Sequence, residues 1–316
     1  MTESDNLTPF HRPVLVDAVV KYALPVDGRI FIDATFGLGG HSRAVLQAYP
    51  QLERLFGIDR DSEILEYSCS RIDDPRITRC HANASDLPLL LERFGIKGVD
   101  GVLLDLGVSS WQLDNPARGF SFTRPGPLDM RMNKDEGVTA ADLVNNLTKE
   151  ELAKIFFEYG EEKFSRRIAD AIVRERSDNP LTTTARLAEI VVEAIPAQNR
   201  RKSLIHPATR VFQALRIAVN KELEEIENFL SIVLGCLNPG GHLSIISFHS
   251  LEDRLVKNFM QKHQKGCECP PQFPVCICGK KPQLKILTGK AIFAEDSEIA
   301  ENPRARSARL RAACKI

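Results

Sequence analysis

The chain has 316 residues, 43% of them hydrophobic, and its 42 basic and 42 acidic side chains cancel to zero formal charge. That length and apolar content allow one large domain or two ordinary ones around a buried core. No segment approaches the roughly 20 apolar residues of a membrane span, and the opening MTESDNLTPFHRP lacks a signal-peptide apolar region, so a cytoplasmic protein with no membrane partner is expected. Balanced charge means that nucleic-acid binding has to be argued from local patches.

Taken in chain order, the first third alternates strand and helix. RIFIDAT (29–35) reads as a buried strand that runs into a glycine cluster, Gly37, Gly39 and Gly40. HSRAVLQAY (41–49) reads as a helix facing that turn, RLFGID (54–59) as a second strand, and about Asp61 to Ile72 as a second helix. RITRCH (76–81) and VDGVLLDLG (99–107) complete four strands, and strands alternating with helices imply a parallel sheet with right-handed crossovers. From about Gln112 to Arg210 strand character disappears. Thr148 followed by Glu151 is a capping box opening TKEELAKIFFEYG, and two further helical stretches follow, the second closed by Pro196. A long helical stretch over 206–237, broken near Asn220, then leads through NPGG back to a strand, HLSIISF. The expected organisation is an α/β domain from residues 1–111 and 211–316, interrupted by a helical insertion at 112–210. Beyond Lys262 the tail is Pro- and Cys-rich, then irregular and basic.

Three acids stand at strand ends: Asp33, Asp59 and Asp105. In an open parallel sheet, ligands lie beyond the carboxyl ends of the strands, so the fold brings these groups to one edge. Glycines after the first strand permit positive φ and close approach of backbone N–H groups to a ligand, and an acid some 20 residues on suits ribose hydroxyls. GLGGHS does not match the G-x-G-x-x-G of dinucleotide binders. An acid ahead of the glycines suits the cationic end of S-adenosylmethionine better than a pyrophosphate. After Asp105, Gln112 offers a hydrogen-bonding amide, and Trp111 either stacks on a base or packs internally. In SFHSLEDR, Ser250 with Asp253 reads as a capping-box variant, and His249 before it reads as a turn residue ahead of a substrate-orienting one. Two basic runs, NRRKS with His206 and Arg210, and the tail PRARSARLRAACK, are candidates to track a phosphate backbone, or are solvated faces. Cys267, Cys269, Cys276 and Cys278 could supply thiolates to zinc, although C-x-C is not the usual C-x-x-C spacing; the alternative is a reduced surface loop. No metal ligand is assigned.

These motifs together resemble one family, the ribosomal RNA small subunit methyltransferase H family. The matching stretches are HRPVL, DATFGLGGHS, IDRD, DLGVSSWQLD, RGFSF, GPLDMRM, HPATRVFQALRIAVNKEL, SFHSLEDR and NPRARSARLRAA, in order along nearly the whole chain. The resemblance implies a class I S-adenosylmethionine-dependent methyltransferase, a Rossmann-like sheet with an inserted helical substrate-recognition domain, acting on the exocyclic N4 of a cytidine in 16S rRNA of the small ribosomal subunit. Carried over by position, it implies that Gly39, Gly40 and His41 hold the methionine end of the cofactor. Asp59 would take the ribose, Asp105 lie beside the charged portion, and Gln112 complete the pocket. Where the family usually has phenylalanine this chain has Ala84, so its backbone, and no aromatic ring, would line the adenine. No D-P-P-Y-like tetrapeptide is present, and no residue is singled out as proton acceptor.

Overall fold

A computed structural model describes residues 13–202, 205–267, 269–270, 272–273, 275 and 277–316. The chain divides into two units, the first formed by Met1–Gly107 with Glu225–Ile316 and the second by Val108–Glu224.

The first unit carries a single eight-stranded sheet. Its strands are β1 (Ile30–Asp33), β2 (Arg54–Asp59), β3 (Ile77–His81), β4 (Val99–Asp105), β5 (Leu237–Ser247), β6 (Leu284–Ile286), β7 (Ile292–Phe293) and β8 (Arg309–Lys315). The order across the sheet is β3-β2-β1-β4-β5-β8-β6, with β7 also paired to β8. β1 to β5 run parallel, and β1, β2 and β4 are buried almost continuously, as apolar runs covered on both faces must be. Phe31, Ile32, Leu55, Ile58, Val102 and Leu103 fill this centre. These are the strands and the α/β class that the apolar runs predict.

The tail departs from expectation. It is an ordered strand, β8, antiparallel to β5 and β6. Leu310 and Ala312 point into the core, while Arg309 and Arg311 alternate outward. Arg311 donates from Nε and Nη2 to the two oxygens of Asp253, at 2.7 and 3.1 Å. The Lys315 ammonium donates to the carbonyls of Leu234 and Leu237, each at 2.6 Å. These cations are held by the fold itself. A second correction concerns the helix Ser250–Lys265, whose N-cap is His249, with Glu252 as its capping-box partner. Asp253, engaged by Arg311, is not available for the box that Ser250 suggested.

The second unit is helical, with helices that include Lys149–Glu158, Ser165–Asp178, Thr184–Ala194 and Thr209–Asn220. Its core draws on Leu128, Leu152, Phe156, Ile168, Ile172, Leu187 and Val191. The expected Thr148–Glu151 capping box is present: Glu151 accepts the Thr148 N–H at 2.8 Å and donates its own N–H to the Thr148 hydroxyl at 3.3 Å. The units separate at 107/108 and 224/225, where the sequence suggested 111/112 and 210/211. The shift has a packing cause, since Val211, Phe212, Ala214 and Leu215 of the helix Thr209–Asn220 are buried in the core of the helical unit. That helix ends at Lys221, which takes φ 48°, and the break predicted near Asn220 is there.

Candidate functional site

The carboxyl edge of the parallel strands is built first by the turn after β1. Gly37 and Gly39 adopt φ of 51° and 74°, the left-handed region that a side chain disfavours. Gly39 is the N-cap of the helix Gly40–Ala48, so the turn delivers that helix's unsatisfied N–H groups to the sheet edge. A Cβ on Gly39 would lie 2.9 Å from the Phe36 ring, so conformation and space both require glycine.

Asp33 is buried at the end of β1, where Ser42 donates its hydroxyl to Oδ2 at 2.6 Å. Burial raises the Asp33 carboxyl above the usual carboxylate range, against the opposing pull of Ser42, His41 and the Thr35 N–H. Thr35 joins the neighbouring strand end by accepting the backbone N–H of Asp105 at 2.6 Å. His41 sits between these acids. Its Nε2 lies 2.8 Å from the Val14 carbonyl, which only accepts, so the ring donates there. Its Nδ1 is 3.6 Å from Asp105 Oδ2.

Asp105 is the least satisfied group at this edge. Its Oδ1 is buried and has no hydrogen-bond partner among the described residues. Burial, then the nearby Asp33 and Glu252 carboxylates, push its carboxyl up to about 7, with His41 pulling the other way.

Asp59 closes the edge at β2. It accepts the N–H of Gly37 at 2.8 Å and that of Asp61 at 2.9 Å. Burial still raises it to about 6, the two backbone hydrogen bonds notwithstanding. Asp59 therefore ties the glycine turn to the second strand, and each oxygen keeps one lone pair for a ligand. Ala84, buried, lies just beyond β3 in a short 3-10 turn capped by Asn83 and Asp86. Its neighbour Ser85 is anchored by the Glu225 carboxylate, which accepts from its N–H at 2.8 Å and its hydroxyl at 2.9 Å.

Of the sequence-predicted residues, Asp59 and Asp105 are the last residues of β2 and β4, and Gly39, Gly40, His41 and Ala84 lie beyond strand ends of the same first unit. Gln112 belongs to the second unit, where its Oε1 accepts the Ser109 N–H at 3.0 Å in a capping box. Trp111, in the same unit, carries the Arg118 guanidinium 5.2 Å from its ring centroid. His249 accepts the Glu252 N–H through Nδ1 at 3.4 Å, which is the structural role favoured for it. Within the second unit His206 stacks on Phe122 at 4.6 Å, and Arg210 donates to the Glu161 carbonyl at 2.9 Å. Ser203, and the side chains of Arg201 and Lys202, lie outside the described residues, as do His11, Arg12 and Cys276. Sequence reasoning missed Thr35, Ser42 and Val14. The signal was present for the first two as hydroxyls near Asp33 within DATFGLGGHS; Ser42 pairs with Asp33 inside that motif, while the partner of Thr35 lies across strands.

The groups fit S-adenosylmethionine on the structure's own terms: a desolvated carboxyl with an unused oxygen for a cation, a helix N-terminus set at the sheet edge by the glycine turn, and a second carboxyl at the next strand end. The model of the MraW methylase family matches residues 8–316. A ribosomal RNA small subunit methyltransferase H from Geobacter sulfurreducens is 50% identical over 312 residues, 98% of this chain and 100% of that protein. A protein of the same name from Desulforapulum autotrophicum is 52% identical over 292 residues, 92% of this chain and 93% of its own length. One from Thermomicrobium roseum is 48% identical, covering 99% of this chain and 95% of its own.

Proposed function

The chain belongs to the MraW methylase family, and from that premise we propose that it methylates the exocyclic N4 of a cytidine in 16S rRNA of the small ribosomal subunit, with S-adenosylmethionine as donor. The observation that carries the site reading is the buried, unpartnered Oδ1 of Asp105 on a carboxyl raised to about 7. A cation placed beside it favours the ionised form, so the group that burial disfavours becomes a ligand contact when the cofactor's charged portion arrives. The helix that starts at Gly40 provides amide donors for the methionine carboxylate, Gly39 shapes the turn with its own N–H on the Phe36 carbonyl, and His41, fixed through Val14, holds one side of that pocket. Asp59 accepts from the ribose hydroxyls with its remaining lone pairs. The backbone at Ala84 lines the adenine, and the inserted unit serves substrate recognition.

Bound S-adenosylmethionine supplies a methyl group made electrophilic by its sulfonium. The protein's residues contribute alignment: fixed amides and carboxylates hold the donor in one orientation at the sheet edge, where the entropy of positioning is already lost before the base arrives. Cytosine N4 is a weak nucleophile because its lone pair is delocalised into the ring, which makes such alignment the main lever.

The test uses isotopically labelled S-adenosylmethionine, purified protein and small subunits from a strain lacking this enzyme. Nucleoside mass mapping is expected to place the label on N4 of one cytidine of 16S rRNA. Label on another base, or transfer only to small molecules, overturns the reading. No helix among the described residues is long and apolar enough to cross a membrane.

A further inference from the structure

We propose that the loop between the helix Ser250–Lys265 and β6 is a zinc-thiolate staple, with Cys267, Cys269 and Cys278 as ligands. Their sulfurs all lie within 4.8 Å of one another, though the residues are up to eleven positions apart in sequence. Zinc binds thiolate sulfur at about 2.3 Å in a tetrahedral arrangement, which sets neighbouring sulfurs about 3.8 Å apart. Cys278 and Cys267 are 3.9 Å apart, close to that spacing and far beyond the roughly 2.05 Å of a disulfide. The Ile277 N–H donates to Cys269 Sγ at 3.4 Å, a contact that orients this sulfur.

The loop's construction explains why a metal would be needed. Its stem is shut: the Gln283 N–H donates to the His263 carbonyl at 2.9 Å, and His263 Nδ1 meets Gln283 Oε1 at 2.7 Å. Gly266 takes φ 69°, and a Cβ there would lie 2.4 Å from the Lys281 carbonyl carbon, so the two strands of the stem touch. Beyond the stem the usual burial is inverted. Phe273, Val275 and Ile277 are 50%, 70% and 75% exposed, while the three sulfurs are turned together. Apolar burial therefore does not hold this loop, and a cluster of soft ligands suits zinc. Binding releases the thiol protons to solvent, and nothing is oxidised or reduced. A further thiol in the same loop, Cys276, lies outside the described residues.

The decisive measurement is metal content of the full-length protein, purified under reducing conditions without chelator from zinc-supplemented cells. About one zinc ion per chain is expected, with an X-ray absorption shell of sulfur at about 2.3 Å. The double variant C267S/C278S should lose the zinc while its S-adenosylmethionine affinity, measured by calorimetry, is unchanged. Should that variant misfold, zinc titration of the chelator-stripped, reduced wild type against a competing indicator gives the same answer, and stripped protein should be nicked by protease within 267–281. The proposal is overturned by wild-type protein that takes up no zinc, by equal zinc in the variant, by iron in place of zinc, or by a Cys267–Cys278 disulfide in non-reducing peptide maps.

Discussion

Asp105 is held by the fold against its own ionisation, and this has consequences in two directions. Its carboxyl is raised to about 7, chiefly by burial and then by Asp33 and Glu252, from an ordinary value of 3.8. Between those two values the folded state binds more protons than the unfolded one, so this group makes the ligand-free protein less stable as pH rises from about 4 to 7. A cationic ligand acts oppositely, stabilising the carboxylate, so cofactor affinity should strengthen as pH rises towards 7 and proton release should accompany binding below it. Asp105→Asn removes both effects. At pH 8 the ligand-free variant is expected to unfold at a higher temperature than wild type, by on the order of 1 kcal/mol, yet to lose at least about tenfold in S-adenosylmethionine affinity. Its affinity should also lose most of its pH dependence. Thermal unfolding and calorimetry in buffers of different ionisation enthalpy measure all of this, and lower stability together with lower affinity would count against it. The sequence made Asp105 legible only in company: alone it is an ordinary turn residue after a strand, but with Asp33, Asp59 and the glycine turn it marks one sheet edge. The sequence could not show that Asp59 accepts the Gly37 amide, or that Thr35 bridges two strands, because those are contacts between segments distant in sequence.

Elements tell a similar story. β1, β2 and β4 were readable because strands buried on both faces are near-continuous apolar runs. β8 was not, because its arginines and lysine dominate the composition of a segment whose apolar positions are Leu310 and alanines. The alternation was there, but it reads as a basic tail until Asp253 and two backbone carbonyls are seen to take up the charges. The same carboxylate bears on the misplaced helix start: two capping spacings compete in HSLED, and Asp253, the acid of the Ser250 spacing, is taken by Arg311. Burial alone would raise Asp253, but the Arg311 hydrogen bonds, with Arg309 and Lys257 nearby, hold it below the ordinary carboxylate range. A depressed carboxylate contributes stability above its unfolded value and loses it as pH falls through the folded one. Arg311→Ala strands that carboxylate half-buried, and is expected to cost about 1–3 kcal/mol at pH 7, with the loss shrinking towards pH 3. Urea denaturation at the two pH values checks this. If Arg311 were instead an RNA-tracking cation, the variant would keep wild-type stability and lose affinity for RNA.

At the scale of the molecule, the two units differ in how their chain is supplied. The sheet unit draws β1 to β4 from before the insertion and β5 to β8 from after it, with β4 paired to β5 and β5 to β8. The helical unit is one continuous stretch, Val108–Glu224, with its own core around Phe156, Ile172, Val191 and Leu215. Continuous local packing needs no long-range closure, so residues 108–224 expressed alone should fold, with a single cooperative thermal transition and an ordered near-ultraviolet spectrum from Trp111. Residues 1–107 alone should not. They would leave β4, an interior strand buried along most of its length, as an open apolar edge, and such an edge aggregates. A soluble, cooperatively melting 1–107 fragment, or a 108–224 fragment that loses helix gradually on heating, would show that the cores are not divided as the packing indicates. The asymmetry also changes what truncating the tail can reveal. Deleting 303–316 removes β8 from between β5 and β6, so lost methyl transfer in that variant reports a broken sheet, and RNA contacts have to be probed by substitutions that leave β8 in place.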